Sequence, residues 1–235
     1  MRIFKFDSLE STNTYLKDHI NEYQNLDVVF TFNQTNGHGR ISRVWSSNKD
    51  SLTFSILFKD EFLYEHYEDL SLISAVSVFE VIKQELPNLK IKWPNDLLVN
   101  DKKICGILLE SRISNKMEGL ILGIGLNVNN SVFNEELNAT SLYLETNKTF
   151  DVESLLKTIV ERLIYNISLL KENKSNHIKI INENNYLLNK EAYASINNQK
   201  ELVTVYSILD NNHLLVKTNI GLVEVSTDEI SFHKE

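Results

Sequence analysis

Between positions 89 and 128, four runs of strand-forming residues are separated by turns too short to carry a helix, which confines this stretch to a β-meander. The runs are Leu89–Trp93, Leu97–Asn100, Lys103–Ser111 and Met117–Val128, with polar turns such as Asn100-Asp101-Lys102 and Ser114-Asn115-Lys116. Upstream, Arg2–Asp7 reads as a short strand. Ser11–Ile20 reads as a helix whose first side chains are hydroxyls and amides suited to capping. Asp27–Phe32 and Leu52–Phe58 read as strands on either side of a polar loop, Asn33–Lys49. Apolar residues at Leu72, Ile73, Val76, Phe79 and Ile82 have helical spacing and predict a helix over Asp69–Leu86, stopped by Pro87. Leu155, Leu156, Ile159, Leu163, Ile167 and Leu170 mark a second amphipathic helix from about Asp151, and Asn176–Leu188 is predicted helical. Beyond Leu188 the character changes. Leu202–Leu209, Leu214–Thr218 and Leu222–Val225 read as short strands split by Asp210-Asn211-Asn212 and Asn219-Ile220-Gly221, a small all-β appendage.

Composition narrows the function classes. With 235 residues, 42% of them hydrophobic, the chain can bury the core of one large or two small domains. Its longest apolar run, Gly119–Leu126, falls far short of the roughly 20 residues of a membrane helix. No charged-then-apolar leader precedes the first strand, so a cytoplasmic location is expected. A formal net charge of −8 argues against a broad nucleic-acid or anionic-membrane surface. The single Cys105 excludes an internal disulfide framework and reads as a small buried hydrophobe.

Three constellations can carry chemistry. The loop from Gln34 to Trp45 holds Gly37, Gly39, Arg40 and Arg43, two of the chain's seven glycines and two arginines. Glycines let successive N–H groups turn toward an anion that the guanidiniums neutralise, although a flexible charged surface loop has the same composition. The block Lys92-Trp93-Pro94-Asn95-Asp96 concentrates one of two prolines and one of two tryptophans, and Lys103 follows seven residues after Asp96. An ammonium at the entry of an interior strand needs an anionic partner, which a ligand phosphate or carboxylate would supply; a solvated turn lysine is the bland alternative. The third, Gly123-Ile124-Gly125-Leu126-Asn127-Val128-Asn129, is a strand interrupted by glycines, implying a bulge or a close backbone approach. It closes a strand and opens no helix, so it is not a dinucleotide fingerprint.

Taken in order, these stretches resemble the biotin protein ligases. The family pattern runs Ser-Thr-Asn, a Gly- and Arg-rich loop ending in Trp, Lys-Trp-Pro-Asn-Asp with Lys-x-x-Gly, Gly-x-Gly-x-Asn-x-Asn, then Ala-Thr-Ser-Leu. This chain has Ser11-Thr12-Asn13, Gln34 with Gly37 to Trp45, Lys92 to Gly106, Gly123 to Asn129, and Ala139-Thr140-Ser141-Leu142. The tail Asp228-Glu229-Ile230-Ser231 is similar to the family's C-terminal ending. Two positions depart from the pattern: His38 stands where Arg is usual and Ser42 where Gly is usual.

The resemblance implies an α+β fold: a class II synthetase-like catalytic domain over about residues 1–188 with a mixed, largely antiparallel sheet, and a small C-terminal β-barrel over 189–235. It implies that biotin is activated by ATP with Mg2+ to biotinyl-5′-adenylate, then transferred to a lysine of a biotin carboxyl carrier protein domain of a carboxylase. Ser11, Thr12, Asn13, Gln34, His38, Gly39, Arg40 and Lys103 would hold biotin and its activated carboxyl, with Gly37 and Arg43 of the same loop also at the binding site. Gly106 and Gly125 would let the ring system lie against strands, and Trp45 and Asn127 would meet the adenine and its phosphate. Lys103 and Arg40 would act as electrostatic clamps and Asp96 would orient or deprotonate the acceptor amine, with no metal ligand among the protein side chains. Since the first strand starts at Arg2, a DNA-binding winged helix is not expected. A homodimer stays open. Lipoate or octanoate ligases and transferases of the same fold, or a non-catalytic biotin sensor, remain alternatives.

Overall fold

Strand β1 (Ile3–Phe6) leads into helix α1 (Thr12–Asp18), capped by the Ser11 hydroxyl, which accepts a hydrogen bond from the Thr14 N–H at 3.3 Å. Strands β2 (Val28–Thr31) and β3 (Ser51–Phe58) follow, then helices α2 (Glu61–Glu65) and α3 (Tyr67–Ile82). The meander is β4 (Leu89–Lys92), β5 (Asp96–Val99), β6 (Lys102–Ile113) and β7 (Met117–Asn127). Helices α4 (Leu142–Thr146), α5 (Val152–Lys171) and α6 (His177–Glu183) precede β8 (Glu191–Ile196), β9 (Gln199–Ile208), β10 (Leu214–Thr218), β11 (Gly221–Val225) and β12 (Ile230–Phe232). This computed structural model describes the chain except residues 41, 42, 135, 197, 198, 228, 229 and 233–235, with Ser231 described by its backbone alone. The predicted tail motif therefore lies partly outside the described residues, at Asp228 and Glu229, as does Ser42 of the loop.

The first seven strands form one sheet in the order β1-β2-β3-β7-β6-β5-β4, parallel between β1 and β2 and antiparallel elsewhere. A second, five-stranded antiparallel sheet has the order β11-β10-β9-β8-β12. The mixed, largely antiparallel α+β architecture expected from the sequence is present. Alternation along the strands divides the large sheet into two faces. Leu52, Phe54, Ile56 and Phe58 of β3 join Leu122, Ile124 and Leu126 of β7 in the main core with α3 and α5. Phe54, Phe58 and Phe79 are at most 2% exposed, and burial of each contributes about 2 to 3 kcal/mol. On the opposite face, Leu57 and Ile121 pack with Leu16, Ile20 and Tyr23 beneath α1.

Several boundaries differ from the sequence expectation. Helix α3 ends at Ile82, before the predicted Leu86, because the chain tightens into turns in which Glu85 N donates to Ile82 O and Leu86 N to Lys83 O. The segment predicted helical over 176–188 is helical only to Glu183. Past it, Tyr186 N donates to Ile91 O at 2.8 Å, and Asn185 and Leu188 bridge β4 and β9, so sheet-edge hydrogen bonds displace helical ones. Strands β8 and β12 and the short helices α2 and α4 were not anticipated. The Glu-Ala-Tyr-Ala-Ser-Ile sequence of β8 has little intrinsic strand preference and is held by its pairing with β9.

Asp69, at the start of α3, ties the C-terminal sheet to the large one. Its Oδ1 lies 3.1 Å from His177 Nε2 and accepts from Asn212 Nδ2 at 3.1 Å, while Oδ2 meets His66 Nδ1. Burial pushes this carboxyl up, but hydrogen bonds from His177, Asn212 and His66 outweigh that effect and hold it below the usual carboxylate range. A depressed folded pKa means stabilisation that is complete above the unfolded carboxylate range and lost as pH falls through the folded value. Asp69→Ala is expected to cost about 3 kcal/mol in urea unfolding at pH 7, because buried donors lose their acceptor. The deficit relative to wild type should shrink below about pH 4.

Candidate active site

The floor of the site comes from the alternation that builds the core. Where β3 sends Phe54 and Ile56 into the core, it presents Thr53 and Ser55 to the α1 face; β7 presents Gly123 and Gly125, and β6 presents Gly106 directly opposite Gly125. Small and polar residues at adjacent positions leave a trough on an otherwise apolar sheet. It lies in a cavity of about 170 Å3 lined by, among others, Ser11, Thr12, Asn13, Gln34, Lys103 and Gly125.

One wall is α1 and its buried polar network. Ser55 Oγ sits 2.7 Å from Thr12 Oγ1 and donates to Asn13 Oδ1 at 2.5 Å. The Gln34 Oε1 accepts from Thr12 N at 2.8 Å and from Thr12 Oγ1 at 3.1 Å. These bonds fix which amide atoms of Asn13 and Gln34 stay available to a ligand. Asn13 lies flat on β7, since a Cβ at Gly123 would come within 2.4 Å of its Oδ1.

The opposite side is the hairpin tip. Lys92 pairs with Asp96, so Trp93-Pro94-Asn95 forms the turn between β4 and β5, and the Trp93–Pro94 peptide is cis. Trp93 is buried and its Nε1 donates to Asn212 O at 3.2 Å. The turn between β5 and β6 places Asn100 and Asp101 at positive φ, 49° and 67°, as a tight hairpin requires. A bulge then inserts one residue into β6: Leu97 faces Cys105 while Leu98 faces Lys103. Without it, Lys103 and Gly106 would point to opposite faces of the sheet. With it, a Cβ on Gly106 would lie 3.0 Å from Lys103 Nζ, so the ammonium overhangs the glycine floor. Lys103 Nζ is 2.6 Å from Asp96 Oδ1, an ion pair by distance whose angles fall outside hydrogen-bond alignment, leaving that oxygen buried without an aligned donor among the described residues. Cys105 is fully buried in the core, as expected, and burial pushes its thiol up.

The third element is the loop, folded as a narrow hairpin over the trough. Gly39 N donates to Arg43 O at 2.7 Å and Trp45 N to Gly37 O at 2.9 Å. Any side chain at Gly37 would meet Trp45 O at 2.5 Å, which accounts for glycine there. The Trp45 indole lies on the floor, with atoms 2.3 to 2.6 Å from where a Gly125 Cβ would stand, and its Nε1 is buried with no hydrogen-bond partner among the described residues. Lys103 Nζ stands 5.6 Å from the Trp45 ring centroid. Arg40 reaches across the cavity mouth, its Nη2 donating to Thr227 O at 3.3 Å. Beyond Arg40, Trp93 and Pro94 a second recess of about 360 Å3 opens toward α3, floored by Leu72, Leu109, Met117 and Leu120.

Of the site residues expected from the sequence, Ser11, Thr12, Asn13, Gln34, His38, Gly39, Arg40, Arg43, Trp45, Asp96, Lys103, Gly106 and Gly125 line one cavity. Gly37 and Asn127 are not among its lining residues. Gly37 shapes the hairpin, and Asn127 Nδ2 donates to Thr140 O at 2.9 Å. That bond anchors the Ala139-Thr140-Ser141 stretch, which pairs with the Lys103 backbone: Lys103 N donates to Asn138 O and Thr140 N to Lys103 O, both at 2.9 Å. Thr53, Ser55 and Glu110 were missed. The polar positions in Leu52-Thr53-Phe54-Ser55 were a legible signal, while Glu110 carried none.

The biotin/lipoate A/B protein ligase family model matches residues 5–127, more than half of the chain. The chain belongs to this family. Among curated members, the bifunctional ligase/repressor BirA of Bacillus subtilis is 34% identical over 140 residues, and biotin–protein ligase 1 of Arabidopsis thaliana is 36% identical over 139. The matches cover 57% and 56% of this chain but only 43% and 37% of those proteins, so the chain spans less than half the length of these relatives. The biotin protein ligase of Aquifex aeolicus, solved in complex with biotin and ATP, superposes with a TM-score of 0.87 at 28% identity, covering 100% of this chain and 99% of that one. The family region ends at the last residue of β7 and so contains every floor strand of the cavity.

Proposed function

We propose that the protein is an ATP-dependent ligase that activates biotin as biotinyl-5′-adenylate and transfers it to a lysine of a biotin carboxyl carrier protein domain. The observation that carries this reading is the overhang of Lys103 above the Gly106 floor in a cavity that Arg40 also lines. A flat ring system fits a floor without side chains, and two cations fit a reaction in which two anions meet. A carboxylate and a phosphate 4 Å apart repel by about 4 kcal/mol at an effective dielectric of 20, and each cation offsets part of that. In the first step a biotin carboxylate oxygen bonds to the α-phosphorus as pyrophosphate leaves. In the second, the carrier's amine attacks the acyl carbon, AMP departs, and the amine loses a proton. Asp96 is the acceptor for that proton: while Lys103 engages the acyl phosphate of the adenylate, Asp96 is released from its ion pair to face the amine.

Among the described residues no group of three or more His, Cys, Asp or Glu side chains is arranged to hold a metal. Mg2+ would enter as the counter-ion of ATP, on phosphate oxygens. Residues 1–188 form the catalytic domain in this reading and 189–235 a small β domain. No helix among the described residues is long and apolar enough to cross a membrane, and an ATP-dependent reaction suits the cytoplasm. Biotin-dependent exchange of labelled pyrophosphate into ATP, with lipoate and octanoate as competing acids, tests the reading. Exchange supported by lipoate or octanoate and not by biotin would overturn it.

The cavity of about 170 Å3 is smaller than the roughly 300 to 1,000 Å3 of ordinary ligand pockets. Trp45 must therefore leave part of the floor before a ring system can occupy it, and the hairpin must open and re-close. Gly37 and Gly39 make the closed state entropically costly, and Arg40 and Arg43 repel until an anion lies between them. The amides of residues 37–40 and 43–45 are expected to gain at least about tenfold further protection when biotin and ATP bind. Equal protection in both states would show that the lid is preformed.

A further inference from the structure

We infer that Glu110 is a positioning residue that docks the His38 end of the lid onto α1 and locks the orientation of Asn13. The carboxylate, at the outer half of β6, is 21% exposed and touches three groups. Its Oε1 is ion-paired with Lys17, and its Oε2 accepts from Asn13 Nδ2 at 2.9 Å and lies 3.3 Å from His38 Nε2. Burial pushes the Glu110 carboxyl up, but hydrogen bonds from Lys17 and Asn13 and the charges of Lys17 and His38 outweigh it and hold it below the usual carboxylate range.

An ionised carboxylate only accepts hydrogen bonds. Asn13 must therefore turn its Nδ2 to Glu110, which leaves Oδ1 to accept from the Ser55 hydroxyl. His38 must likewise carry its proton on Nε2, facing Glu110. One carboxylate thus ties the lid to both α1 and β6, and the contact exists without any ligand. Arg40 secures the far side of the lid on Thr227. Glu110 secures the near side, at the position where this chain carries His38.

The closing experiment has one arm independent of the ligase reading. In the free protein, trypsin cleavage at Arg40 and Arg43 is followed by mass spectrometry for wild type, Glu110→Gln, His38→Ala and the double variant. In parallel, biotin KM and kcat are measured in pyrophosphate exchange; only these values rest on the proposed function. Glu110→Gln is expected to speed cleavage at the two arginines and raise biotin KM by about tenfold each, the loss of a charge-assisted hydrogen bond, with kcat within about threefold. His38→Ala, which removes the donor, should reproduce the cleavage effect and add nothing in the Glu110→Gln background, as coupled partners do. Because His38 sits on the loop, that variant reports even if Glu110→Gln fails to fold. Wild-type cleavage rates in His38→Ala, or additive effects in the double variant, overturn the proposal. Absence of biotin-dependent exchange in wild type would refute the ligase reading and leave the cleavage arm standing.

Discussion

Lys103→Ala is expected to lower the rate of biotin-dependent pyrophosphate exchange by about 10^2- to 10^3-fold, the usual cost of removing a donor aimed at developing charge. Two changes combine. The ammonium that overhangs the glycine floor is lost, and Asp96, 2.6 Å from it in the native structure, is left as an unpaired anion beside the place where two more anions must meet. The side chain stands on a bulge whose backbone is held by Asn138 and Thr140, so its truncation should leave the fold intact. The loss should fall on the first half-reaction more than on biotin affinity, because the charge is needed most when carboxylate and phosphate approach. Retention of more than about a tenth of the wild-type rate, an effect under about 1.4 kcal/mol, would remove Lys103 from this role.

Arg40→Gly should act later in the cycle. The guanidinium lines the cavity and donates to Thr227 O, and in the proposed reaction it would hold the acyl phosphate inside. Without it, biotinyl-adenylate should dissociate about 10- to 100-fold faster, the range expected for one charge-assisted contact. The escaped mixed anhydride then acylates lysines of bystander proteins, so labelling spreads from the carrier domain to any protein present. A variant that stays carrier-selective, with an unchanged rate of intermediate release, would show that Arg40 is no part of the clamp.

The order of the motifs made the composition of the site legible before its geometry was known. Apolar runs and spacing located the meander, α3 and α5; α5 buries one regular face against the core, whereas α3 is enclosed on nearly every side from Leu72 to Phe79. What the sequence withheld was local register. The bulge between Leu97 and Leu98, which brings Lys103 over Gly106, leaves no mark in residue types, and a regular strand would have sent the ammonium away from the floor. Asn127 also donates to Thr140 O, a tertiary bond that spacing cannot reveal. Glu110 reads as an ordinary strand-end acid until α1 and the lid converge on it. At the C-terminus, β8 and β12 depend on pairing partners more than on their own preferences, so they were invisible to pattern alone.

In the proposed reaction the cavity activates biotin and hands it to a carrier lysine. The direct measurement incubates the protein with biotin, ATP and Mg2+ and a biotin carboxyl carrier domain, followed by avidin blotting and mass spectrometry of the carrier. The account predicts one biotin on one lysine of the carrier, dependent on ATP, with stoichiometric release of AMP and pyrophosphate. A carrier left unmodified while lipoate or octanoate is transferred to its own carrier domain, or biotin bound with no pyrophosphate released, would contradict it.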